Sequence, residues 1–213
     1  MDEPELRVGG WVQQKKRGKI RRLFSFLLIV AVSLLVGGPM LVDYKETEIK
    51  DSLYLSAGVW NGPFEKDNTK EFNGHLKISR TTYESLDGGS GKLIVLSISS
   101  LVSLEYFNMH DINVKKVKDE MNKEGLELTT TGKIASEVND NLPANTNIYQ
   151  WNAEATSDST FFENNENVFV KVFSWNSVCE SQTICTGKTI ICIALGKDQN
   201  YINQATEIIE NVR

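Results

Sequence analysis

LFSFLLIVAVSLLVGGPMLV, residues 23–42, is the stretch from which the rest of the chain is read. It holds no charged side chain. Its only polar ones are Ser25 and Ser33, each able to bond a carbonyl one turn back in a helix. A helix of this length, at ~1.5 Å rise per residue, spans ~30 Å, the thickness of a bilayer's hydrocarbon core. Only a helix crosses lipid as a single segment, because its amides and carbonyls satisfy one another without water. The stretch therefore predicts one transmembrane helix, with the lipid bilayer as its partner.

The flanks orient it. Residues 1–22 carry Arg7, Lys15, Lys16, Arg17, Lys19, Arg21 and Arg22 against Asp2, Glu3 and Glu5. The far side opens on Asp43-Tyr44-Lys45-Glu46, which leans acidic. Basic flanks stay in the cytoplasm. The expectation is a single-pass protein of the cell membrane, with its N-terminus cytoplasmic and its C-terminal domain outside. The competing reading is a cleaved secretory signal. Against cleavage, the apolar run is long for such a signal, it has no A-x-A-like site, and a cut after Gly38 would leave Pro39 beside it. The segments are then a basic tail (1–22), the span (23–42), a stalk (43–51) and an extracytoplasmic domain (52–213).

Charge narrows the partners. The whole chain has 23 Lys+Arg and 28 Asp+Glu. Setting aside the tail's seven bases and three acids leaves 16 against 25. A domain at −9 is unsuited to nucleic acid, whose phosphates require clustered Lys and Arg. It is equally unsuited to lying flat on anionic lipid. None of its asparagines sits in an N-x-S/T sequon.

Alternation and turn signals predict an antiparallel sheet. Residues 52–60 read as a first strand and 65–73 as a polar loop. Residues 75–86 and 92–104 form a hairpin around Asp87-Gly88-Gly89-Ser90-Gly91. Further strands are expected at 126–138, 146–153, 168–178 and 184–195. Residues 111–124 read as a helix capped by Asp111, with Ile112, Val114, Val117 and Met121 inward and Lys115, Lys116, Lys118 and Lys123 on a solvated face. The last helix, capped by Asp198, shows one apolar stripe of Tyr201, Ile202, Ala205, Ile208, Ile209 and Val212. The fold class is α+β, a sandwich-like antiparallel sheet with packed helices. Gly91-Lys92-Leu93-Ile94-Val95 and Gly187-Lys188-Thr189-Ile190-Ile191 each lead from a hairpin into a strand and then a helix, a pattern an internal duplication would leave.

Candidate chemistry is sparse. Cys179 and Cys185 enclose a short polar loop and form the disulfide candidate, which an extracytoplasmic address permits. Cys192 lies in an apolar run and reads as a core residue. Gly88–Lys92 and Thr186-Gly187-Lys188-Thr189 imitate a phosphate loop, but β-branched or apolar residues follow where a helix must start. His75 and His110 are the only histidines, and Cys179, Cys185 and Cys192 lack zinc-ribbon spacing, so no metal or cofactor is expected. Paired acids such as Asp119-Glu120 and Glu163 with Glu166 read as surface charge. Trp60, Trp151 and Trp175 either fill the core, the commoner role, or line a ligand groove.

The expected function is therefore a non-catalytic binding or interaction domain on a membrane anchor, for a protein or small molecule outside the cell. The alternatives are a membrane-tethered enzyme, a hydrolase or one using the thiol of Cys179 or Cys185, and a cleaved secreted protein.

Overall fold

Helix α1 (Gly9–Leu41) runs without a break from the basic tail through the apolar stretch, with Pro39 in its last turn. The tail from Gly9 onward is thus helical, where its charge alone predicts no structure. Within α1, Arg22–Leu41 has a mean hydropathy of 2.3. Its described Leu, Phe, Ile and Val side chains, Leu23, Phe24, Phe26, Leu27, Leu28, Ile29, Val30, Val32, Leu35, Val36 and Leu41, are largely exposed. It is the one helix among the described residues long and apolar enough to cross a membrane, a property that anchors and signal sequences share. The computed structural model describes residues 9–44, 47, 49, 52–100, 109–130, 132–134, 139–177 and 187–212. The chain forms two units, Met1–Leu41 and Val42–Arg213.

The second unit is built on one antiparallel sheet. Its strands are β1 (Trp60–Asn61), β2 (Lys66–Glu71), β3 (Leu76–Ser85), β4 (Gly91–Ser100), β5 (Leu126–Leu128), β6 (Lys133–Ile134), β7 (Asn147–Ala155), β8 (Asn167–Ser177) and β9 (Gly187–Gly196). The spatial order is β1-β3-β4-β9-β8-β7-β5. Strand β2 pairs with β3 beside β1, and β6 pairs with β7 beside β5. The three central strands are the apolar runs. Hairpin β3–β4 closes at Glu84↔Lys92, β4 meets β9 from Gly91↔Gly196 to Ser100↔Gly187, and β9 meets β8.

Helices cover both faces. Helix α3 (Met109–Lys123) lies on the face of Ile94, Leu96, Ile98, Ile191, Ile193, Val170 and Val172, contributing Val117 and Met121. Helix α4 (Gln199–Ile209) lies on the other, with Ile202, Ala205, Ile208 and Ile209 against Leu93, Val95, Ile190, Cys192 and Phe173. Because successive strand residues face opposite ways, a central strand covered on both sides reads as a continuous apolar run. Asp198 caps α4 by accepting from the amides of Asn200 and Tyr201, as expected.

Several expectations are corrected. Residues 52–60 form a short helix α2 (Leu53–Ser56) and then the two-residue β1, not one strand. Residues 66–71 are a strand, not a loop. Lys-Asp-Asn-Thr-Lys-Glu carries no apolar alternation because β2 is an exposed edge, and charge there discourages pairing with other chains. Lys116, assigned to a solvated face, is buried and joined to Glu71. Glu120, read as surface charge, is 3% exposed. The two glycine-lysine segments both open strands, as expected. Their helices, however, pack on opposite faces, whereas a two-fold relating adjacent antiparallel strands preserves the face. The duplication reading gains nothing from the packing.

Candidate functional site

The densest polar chemistry lies beneath α3. Arg80 sits in β3 on the same face as Ile78, where alternation expects an apolar residue. Its guanidinium donates three ways: from Nε to Glu120 Oε2 at 2.7 Å, from Nη2 to Glu124 Oε1 at 2.6 Å, and from Nη1 to Glu65 Oε2 at 2.6 Å. Lys92, opposite Glu84 in the hairpin, reaches Glu124 at 2.8 Å and Glu84 at 3.3 Å. Lys123 reaches Glu120 at 2.6 Å. Three cations and four carboxylates thus form one connected network, and all but Glu65, Glu84 and Lys123 are buried. Burial alone would lower the Arg80 pKa; the bonds from Glu120, Glu65 and Glu124 outweigh it and raise it, so the charge is held at every working pH.

The sequence elements explain the geometry. Glu120 on α3 and Glu124 just past its end stand one turn apart, in line with Val117 and Met121, so the packing that buries the apolar stripe buries them too. Hairpin register pairs Arg80 with Leu96, two rungs from Ile78↔Ile98, and Glu84 with Lys92 four rungs further on, at the closing end. A signal existed in the sequence: an arginine at an apolar parity position, and two glutamates in phase with an apolar stripe.

Outward of this network is a cleft of about 320 Å³ between β2, β3 and α3. Ile78 and Leu96 line it together with Arg80, Lys116, Glu120, Asp67, Asp119 and Asn122. Its walls carry both signs of charge over an apolar floor. Such a surface suits a polar, hydrated ligand. Buried ion pairs are a poor source of stability, because desolvation offsets their attraction. Four buried charges gathered at one helix, Arg80, Lys92, Glu120 and Glu124, are therefore better explained by shaping a polar cleft in one geometry than by holding the fold together.

The sequence-nominated residues fall elsewhere. Trp60 and Trp175 are buried on the α4 face, where the Trp60 indole donates to Gln204 Oε1 at 2.8 Å. Trp151 is buried on the α3 face, its ring centroid 5.7 Å from that of Tyr149. The sheet lies between them, so the three do not line one groove; each fills core. Cys179 and Cys185 lie outside the described residues. Cys192 is a free, fully buried thiol, and burial pushes its pKa far up, which leaves it unreactive. Among the described residues no group of three or more His, Cys, Asp or Glu is placed to hold a metal. Comparison with protein-family models and with curated proteins finds no match.

Proposed function

We propose that the chain is a single-pass membrane protein whose C-terminal α+β domain is an extracytoplasmic binding module, non-catalytic, with the cleft beneath α3 as its ligand site. The observation that carries the reading is α1: a helix whose large apolar side chains face outward over Arg22–Leu41 is unstable in water and at home in lipid. The basic flank supports a cytoplasmic N-terminus. The mixed-charge cleft supports a ligand met through polar, hydrated contacts.

Protease added to intact cells, followed by detection of tags at both ends, tests the topology. The reading expects loss of residues 43–213 and survival of the tail. Protection of the C-terminal domain overturns the orientation. Intact mass decides between anchor and signal: the full chain is expected, and loss of about forty N-terminal residues means a secreted protein.

A further inference from the structure

Among the described residues of the domain, Phe72 is the large apolar side chain that combines high exposure with a left-handed backbone. It opens the connection between β2 and β3, where Phe72, Asn73 and Gly74 take φ of 49°, 55° and 91°. Bulky side chains rarely adopt that left-handed region, and Gly or Asn fills it at lower cost. Its ring is also 68% exposed. Neither local backbone preference nor core burial favours phenylalanine here.

This turn lies at the end of the sheet where the chain enters. The Lys77 ammonium donates to the carbonyl of Val42 and lies 5.4 Å from the Tyr44 ring centroid. Lys77 pairs with Lys70, one rung behind the last rung of the hairpin, Glu71↔Leu76. Residues 42–44, the first after α1, are therefore held beside the β2–β3 turn. With the apolar helix in a bilayer, chain connectivity alone brings this turn to the lipid surface.

We propose that the β2–β3 turn seats on the bilayer, with Phe72 entering the headgroup region of the leaflet from which the span emerges. This rests on the membrane-anchored reading above. An aromatic tip with Lys70, Lys77 and Tyr44 behind it has the chemistry of interfacial anchors, in which rings take the boundary and lysine stems snorkel toward phosphate. The adjacent carboxylate, Glu71, is engaged by Lys116. Because the domain as a whole is acidic, contact is confined to this turn and suits neutral headgroups. Seating holds the domain in one orientation, with β2, one wall of the cleft, at a set height above the lipid.

The full chain in phosphatidylcholine vesicles tests this, with photoreactive p-benzoylphenylalanine replacing Leu28, Phe72 or Leu86 in turn. Leu28 lies in the span. Leu86, 60% exposed, follows the opposite end of β3 and is the control. All three are exposed, so the replacements leave packing intact. Lipid adducts at 28 and 72, with severalfold fewer at 86, are expected. Adducts at 28 alone overturn the seating and leave the anchor standing. Equal adducts at 72 and 86 also overturn it. An unlabelled position 28 removes the anchor reading, and the seating with it.

Discussion

Arg80 shows how one residue's environment decides its worth. An exposed ion pair contributes ~0–1 kcal/mol. Arg80 instead neutralises Glu120 and Glu124 in the interior, so its loss strands charge. Arg80→Met is expected to destabilise the domain by ~3–5 kcal/mol in chemical denaturation at neutral pH, and Arg80→Lys, which keeps the charge without the three-way fork, by less. A loss under 1 kcal/mol for Arg80→Met would mean the network is solvated. Tyr201 and Asp87 make a second, exposed link, in which the phenol donates to the carboxylate. Burial pushes the Asp87 pKa up, but the bonds from Tyr201 and Ser85 together prevail and hold it below its usual value. The bond to Asp87 raises that of Tyr201. The stabilisation linked to Asp87 is therefore present above about pH 4 and lost as pH falls through its depressed pKa. That linked to Tyr201 is present below about pH 10 and lost as pH rises through its raised one. The stability difference between the protein and Tyr201→Phe should be level between those limits and shrink beyond both, in a pH series of denaturant melts. The phenol's partner, a carboxylate over a hundred positions away, carries no mark in the sequence.

At the scale of elements, α4 and α3 were legible to different depths. Asp198, followed by a stripe of Ile202, Ala205, Ile208 and Ile209, defines a cap and a buried face by spacing alone, and both are found. Asp198→Ala is expected to cost about 1 kcal/mol by leaving two first-turn amides without their acceptor; thermal melts of the two proteins check it. Spacing places helix α3 equally well, but it does not show that Lys116 and Glu120 on its polar face are buried. A helical wheel shows which side chains share a side, not what waits opposite, and here strands β3 and β4 present Arg80 and Lys92. Strand β2 leaves no apolar alternation for a related reason. Edge strands are held by backbone bonds to one neighbour, and those bonds put no constraint on side-chain hydropathy.

For the whole molecule, the governing quantity is the apolar surface of α1. The full chain is expected to stay in the membrane pellet through an alkaline carbonate wash, while a chain lacking residues 9–41 appears in the supernatant; release of the full chain would show that α1 does not span. Local pattern determined the apolar helix, the β3–β4 hairpin, the paired strands β8 and β9, and the capped terminal helix, because each is encoded by neighbours within a few positions. The tertiary structure alone decided strand order, which helix covers which face, the separation of Trp151 from Trp60 and Trp175, and the closure of Arg80 and Lys92 on Glu120 and Glu124. These depend on contacts between residues dozens of positions apart, and a parity or stripe specifies only that a side chain is buried, never the partner it is buried against.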